Sequence, residues 1–276
     1  MFGCGGSSSP PRLSPPPVAT GAVPLFSHVV LIVEENKNYS EVIGNTAMPY
    51  LNSLATQYGL ATQYFANTHP SIGNYFMLTS GQIISNDDTF VGVVSADNLV
   101  RQLLAAGKTW KSYAENRGDP LLYAKWHDPF SYFSDVVNDS AQVQNLTTLT
   151  QFKSDLANGQ LPNFSFVLPN LLDDAHSAPV QNADLWLQQN IGPLIADPNF
   201  QKSGLLIIVF DEADSSDTTH GGGHVPSLII SSQARQGFQS TKLYQHQNIL
   251  RLMLQALGVQ NFPAAAAMAG DMGEFF

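Results

Sequence analysis

The stretch Leu205–Glu212, LLIIVFDE, constrains this chain more than any other. Six apolar residues, four of them β-branched or aromatic, follow Gly204 and stop abruptly at two carboxylates. A run this short, apolar on both faces, predicts a strand buried inside a parallel sheet rather than a helix. Open α/β sheets bind ligands just beyond the carboxyl ends of their strands, which is where Asp211 and Glu212 fall. Val29–Asn36, VVLIVEEN, repeats the arrangement, an apolar strand followed by Glu34, Glu35 and Asn36. Two strands that deliver carboxylates to one rim predict a metal site.

From His28 onward the chain alternates between strand and helix patterns. Helical spacing of apolar residues predicts helices over 46–58, 95–106, 147–158, 182–196 and 245–257. Gly59, Gly107, Gly159 and Gly258 stand as C-terminal caps of four of them. Strands are expected over 60–66, 108–113, 163–168 and 225–231. Asn67–Asn74, NTHPSIGN, reads as a turn-rich loop running into the apolar segment Tyr75–Leu78, and residues 114–145 read as irregular. There is no internal repeat. The pattern predicts an α/β fold, a three-layer sandwich with a mostly parallel central sheet and helices on both faces.

Residues 1–24 are dominated by Gly, Ser and Pro and predict a tether, with one domain over 25–276. The single cysteine, Cys4, excludes an internal disulfide and a cysteine-based zinc site. Gly3-Cys4 followed by Gly-Gly-Ser-Ser-Ser resembles the start of a mature bacterial lipoprotein, whose cysteine carries lipid. A chance cysteine in a flexible tail is the other reading. The first implies an extracytoplasmic location and a membrane tether through Cys4. A formal net charge of −10 with no Lys/Arg run argues against a nucleic-acid partner, and any anionic substrate must be held by local groups.

Four loops at strand ends collect chemically able side chains. They hold Glu35 and Asn36; Ser71 and Asn74; Asp173, Asp174 and His176; and Asp211 and Glu212 with His220 and His224. Carboxylates and imidazoles bind divalent cations, which polarise phosphoryl oxygens and neutralise developing charge. Ser71 has two readings. As an N-cap it is structural; as a hydroxyl beside a metal at a helix N-terminus it is a nucleophile facing an anion. The absence of a G-x-S-x-G elbow argues against an α/β-hydrolase triad. His69 and His127 lie in loops where lone histidines are commonly structural, and His127, in Trp-His-Asp-Pro-Phe, has a second reading as a proton donor facing the rim. His28 and His246 read as structural.

Taken together, Val33–Asn36, THPSIGNYFMLTSG at 68–81, WKSYAE at 110–115, WHDPFSYF at 126–133, PNLLDDAHS at 169–177, VFDEAD at 209–214 and GGGHVPSLIIS at 221–231 resemble one family. It is the bacterial phosphoesterase family of acid phosphatases and phospholipases C, within the alkaline phosphatase superfamily. The resemblance spans residues 28–275 and implies an alkaline phosphatase-like sandwich with metal-assisted phosphoryl transfer. It implies that Ser71 is the nucleophile, through a phosphoseryl intermediate, and that Asn74 holds a phosphoryl oxygen. Glu35, Asn36, Asp211 and Glu212 would be metal-site residues, with Ser71 beside them, and Asp174, His176 and His224 would serve the other metal position. His127 or His176 would protonate the leaving oxygen. The chain has Asp211-Glu212 where the superfamily commonly has Asp-His. It has Ile72-Gly73-Asn74 where the family often has Leu-Pro-Asn, a change expected to leave the chemistry untouched.

The expected cofactor is one or two divalent cations, with zinc, manganese, magnesium and calcium left undistinguished. The expected substrate is a small phosphoester, most simply a phosphomonoester, and no protein partner is implied. A phosphodiesterase or phospholipase C, and a surface lipoprotein that binds a metal or anion without turnover, are the alternatives. A sulfatase is disfavoured, because Ser71 is followed by Ile-Gly-Asn without an arginine.

Overall fold

In the computed structural model, residues 21–276 are described. Cys4 and nearly all of the expected tether fall outside them. Eight strands, β1 (His28–Glu34), β2 (Gly59–Ala61), β3 (Trp110–Ala114), β4 (Leu146–Thr148), β5 (Phe164–Leu168), β6 (Gly204–Phe210), β7 (Ser227–Ile230) and β8 (Gln239–Ser240), form one sheet. Their order is β4-β3-β5-β1-β6-β7-β2-β8. The two most apolar strands lie together at its centre. β1 and β6 pair in parallel along their whole length, from His28 opposite Gly204 to Glu34 opposite Phe210. All of β6 is buried, as is β1 beyond His28. Each fully buried Val, Leu or Ile stabilises the fold by about 2 kcal/mol, so these strands carry no alternation.

The ten helices are α1 (Tyr39–Val42), α2 (Pro49–Gln57), α3 (Ser71–Ser80), α4 (Leu99–Ala105), α5 (Ser134–Val137), α6 (Ser140–Val143), α7 (Leu149–Ala157), α8 (Val180–Ala196), α9 (Pro198–Ser203) and α10 (His246–Ala256), as found among the described residues. α2 packs on α8, while α10 packs on α3 and α4. No helix of the described residues is long and apolar enough to cross a membrane.

The sheet departs from the expected pattern at its edges. β7 runs antiparallel to both β6 and β2. β4 and β8, three and two residues long, are too short to leave a sequence signal. Gly59 opens β2 instead of capping a helix, whereas Gly107 and Gly159 take the left-handed conformation expected of caps, φ 67° and 64°. The most consequential difference concerns the 67–74 loop. Pro70 is the N-cap of α3, so Ser71 is the first helical residue, not the cap, and Ser71–Asn74 form its first turn. Proline before a helix fits because its missing N–H lies among donors a helix start leaves unpaired. All ten residues of α3 are buried, so its polar side chains face the interior of the molecule.

Candidate active site

The parallel register of β1 and β6 builds the site's floor. Where the strands end, Glu35 and Asp211 emerge side by side, linked through Asp211 N–H donating to the Glu34 carbonyl at 2.9 Å. Successive strand residues point to opposite faces. Glu35 turns toward α3, while both carboxyl oxygens of Glu34 are buried without hydrogen-bond partners, and burial and then Asp174 push its carboxyl well above its ordinary range. Asn36, at φ 52°, takes the left-handed turn that asparagine tolerates, and its N–H donates to Asp211 Oδ1 at 3.2 Å. Its side-chain amide donates to Glu35 Oε2 at 3.1 Å.

Across this floor stands the head of α3. Ser71 Oγ lies 3.2 Å from Glu35 Oε2 and 3.5 Å from Glu212 Oε1. One turn further, on the same helix face, Tyr75 donates its hydroxyl to Glu35 Oε1. Asn74 is locked in place: its Oδ1 accepts the Asn67 and Thr68 N–H groups at 3.0 and 3.2 Å, and its Nδ2 donates to the Thr68 carbonyl at 2.8 Å. The amide's other proton points at Glu212 Oε2, 3.4 Å away. His127 stacks on Tyr75, centroids 5.1 Å apart, and its Nε2 lies 3.4 Å from Glu35 Oε1 without bonding geometry.

The third loop contributes less evenly. Asp174 is fully buried, with Oδ2 3.7 Å from His127 Nδ1. Asp173 instead bonds Asn170, so Asp174 is the residue of the pair that faces the cluster. His176 is exposed; its ring lies 5.9 Å from that of His127 and its Nδ1 pairs with Ser177. His224 is not brought in. Its Nε2 bonds the Thr62 carbonyl at 3.0 Å and its ring stacks on Tyr39 and Phe65. The expected grouping of Asp174, His176 and His224 into one metal position therefore does not form, because the Thr62 carbonyl and the Tyr39 and Phe65 rings engage the His224 imidazole. His220 likewise packs its ring on Phe65.

Tyr75 read as part of an apolar run, and only a helix starting at Ser71 places it at the i+4 position. His69, left open above, holds Glu212 Oε2 at 3.0 Å through Nδ1. His246, read as structural, is fully buried with Nε2 2.6 Å from the Asp211 carbonyl and Nδ1 2.9 Å from the Tyr64 hydroxyl.

Charge is the cluster's distinguishing property. Burial, then Asp211 and Asp174, push the Glu35 carboxyl well above its ordinary range. Asp211 is pushed up to about 8 by burial and then by Glu212; Glu212 is pushed up to about 8 by burial and then by Asp88. Among the described residues no Lys or Arg pairs with these three carboxylates. Asp211 Oδ2, Asp174 Oδ2 and His127 Nε2 are buried without hydrogen-bond partners. Unpaired buried anions are costly unless a cation or proton compensates them. No three His, Cys, Asp or Glu side chains of the described residues already converge as a coordination shell. The donor set nonetheless fits a divalent cation, since its groups are oxygen-rich, buried and electrostatically unbalanced.

The model of the Phosphoesterase family matches residues 44–260. The chain belongs to that family. This phosphoesterase is 32% identical over 257 residues to a phosphatidylinositol-3-phosphatase of Mycobacterium tuberculosis, covering 88% of the chain and 80% of the relative. It is 29% identical over 206 residues to a probable acid phosphatase of Kluyveromyces lactis, covering 69% of the chain but 48% of the relative. An acid phosphatase of Aspergillus fumigatus is 26% identical, over 82% of the chain and 53% of the relative, so the phosphoesterase spans about half the length of these fungal proteins. Its fold matches a Vibrio parahaemolyticus protein of the alkaline phosphatase superfamily, TM-score 0.61 at 15% identity over 87% of this chain and 68% of that one. It also matches the Listeria monocytogenes lipoteichoic acid synthase LtaP, TM-score 0.63 at 11% identity over 89% and 76% of the two chains. The phosphoesterase is a phosphoric ester hydrolase on an alkaline phosphatase-like α/β sandwich.

Proposed function

We propose that this phosphoesterase is a metal-dependent phosphomonoesterase of acid phosphatase type, working through a phosphoseryl intermediate at Ser71. The observation that carries the reading is the position of Ser71 Oγ, at the first turn of α3 and between two buried carboxylates, Glu35 and Glu212, that no Lys or Arg of the described residues balances. Glu35, Asn36, Asp211 and Glu212 would hold the cation beside the Ser71 hydroxyl. A divalent cation bound there supplies a Lewis acid that favours the serine alkoxide and offsets charge on the phosphoryl group. Ser71 gives its hydroxyl proton to the carboxylates beside it and attacks phosphorus in line as the bond to the leaving oxygen breaks, and water then cleaves the phosphoserine to release phosphate. Asn74, its amide fixed by the 67–68 backbone, turns its remaining N–H from Glu212 to a phosphoryl oxygen. His127, with Nε2 unpartnered and buried, donates the proton that the leaving oxygen needs. Asp174, 3.7 Å from the other ring nitrogen, orients it.

Relatives named as acid phosphatases and as a phosphatidylinositol-3-phosphatase support a monoester substrate. We place the enzyme outside the cytoplasm, tethered to a membrane through a lipidated Cys4.

Ser71→Ala is expected to abolish turnover of p-nitrophenyl phosphate while the melting temperature holds, and a chelator is expected to silence the parent reversibly. Full activity in the variant would rule out the covalent route. Faster hydrolysis of p-nitrophenylphosphocholine than of p-nitrophenyl phosphate would move the assignment to a diesterase.

A further inference from the structure

The segment 82–93, which follows α3, folds back over the start of the helix that it leaves. Phe90 anchors it, edge-on to Phe76 of α3 with centroids 6.0 Å apart and 5.7 Å from Tyr132. Closer to the helix head, Asp88 Oδ1 accepts the backbone N–H of Ile72 at 3.1 Å. That N–H belongs to the residue directly after Ser71, in the first turn, where unpaired backbone donors and the helix dipole favour an anion. The half-buried Asp88 carboxylate thus stands where an oxygen of a phosphoryl group on Ser71 would find its donor.

Two further observations place Asp88 among the reacting groups. Its charge is felt at Glu212 and at His176, which flank the site from different loops. The close approach also depends on Gly73. A β-carbon there would collide with the Asn86 side chain, lie 2.6 Å from Thr68 Cγ2 and sit 3.2 Å from the Ser85 carbonyl. The glycine that the sequence reading took as chemically silent is what lets 85–88 lie against the first turn of α3.

We propose that Asp88 is a built-in competitor for the phosphoryl group: its carboxylate occupies the anion position at the head of α3 and must leave when substrate or inorganic phosphate binds. The residue sets phosphate affinity, and its return displaces the product anion. This rests on the reading of Ser71 as nucleophile. It adds a determinant that weakens anion binding, where every other residue assigned above strengthens it.

The direction of the effect separates this from a structural role. Asp88→Asn keeps an acceptor for Ile72 but removes the charge. It is expected to lower the inhibition constant of inorganic phosphate against p-nitrophenyl phosphate by about tenfold, since like charges placed together strongly disfavour binding. KM should fall in the same direction, and calorimetric titration of the cation-loaded protein with inorganic phosphate should show the same gain. A merely structural helix cap predicts unchanged or weaker phosphate binding together with a lower melting temperature. That result, in Asp88→Asn or in Asp88→Ser should the first variant not fold, overturns the proposal. Ser71→Ala measured in parallel keeps the two readings apart. An active Ser71→Ala sinks the nucleophile assignment, whereas an inactive one beside an Asp88→Asn of unchanged phosphate affinity sinks only the role of Asp88.

Discussion

Two groups of buried carboxylates in this molecule have opposite fates. Asp128, fully buried within the 125–133 segment, accepts Arg117 at 2.6 Å, Tyr123 at 2.9 Å, Ser131 and Ser112 at 3.1 Å. Asp155 is held by Lys111, Tyr113 and Gln151, and these contacts keep its carboxyl below the ordinary range against the cost of burial. Asp211 and Glu35 are equally buried, yet their hydrogen-bond partners are a serine, a tyrosine and an asparagine, and their carboxyls are driven upward. The first group is charge that the chain has balanced with its own side chains. The second is charge left for something else to balance, which is the physical mark of a working site.

Substituting one member of each group separates them most sharply. Asp211→Asn is expected to lower turnover at least about a hundredfold while the metal-free protein melts no lower than the parent, because a strained charge is removed. Asp128→Asn leaves Arg117 without its counter-charge and should cost about 3 kcal/mol in denaturant unfolding. Equal stability losses in both variants would erase the distinction.

The metal-free protein offers a second test, through pH. Folded Asp211 and Glu212 hold protons up to about 8, well above unfolded carboxylates, so the native state binds more protons and its stability falls as pH rises. Buried His246, pushed down to about 4, works in the opposite sense only below its ordinary value of about 6.5. Between about pH 6.5 and 8 the melting temperature of chelator-treated protein should therefore drop by about 5 °C. Adding a divalent cation should flatten that slope, and a slope indifferent to cation would place the binding elsewhere.

Smaller effects refine the membership of the unbalanced group. Tyr75→Phe removes one hydroxyl from Glu35 and keeps the ring against His127. It should reduce both turnover and cation affinity by about tenfold, with stability changed by no more than about 1 kcal/mol. His224→Ala should leave turnover within about threefold, since its ring bonds and stacks away from Ser71. A large loss there would restore His224 to the ligand set that the resemblance implied.

Much of this was legible before any coordinates. Leu205–Phe210 and Val29–Val33 announce two central strands because burial on both faces leaves no polar alternation, and carboxylates at their ends then share a rim by geometry alone. The edges were not legible. β4 and β8 exist only because neighbouring strands offer them hydrogen bonds, and nothing in Val225–Ser231 distinguishes an antiparallel strand from a parallel one. Ser71 is legible at a helix N-terminus, but the first turn of α3 reads as loop because Gly73 and Asn74 look like turn residues, and tertiary burial overrides that local preference. Tyr75 and Asp88 were lost with it. One becomes visible only with the helix phase, the other only with the return of the 82–93 segment. Asp174, His176 and His224 show the limit of motif transfer: the residue types are in place, and the chain path delivers only the first of them to the cluster.

The contact between His246 and the Asp211 carbonyl ties the site to the order in which the chain is made. Asp211 itself must find the backbone of Asn36, 175 positions earlier, and the helix that braces it from behind is the last α-helix of the described residues. A ribosome that has released β6 but not α10 exposes carboxylates with no support under them. Contacts of such long range are slow to form, so a nascent chain carries every residue of the cluster before the helix that braces Asp211 has docked.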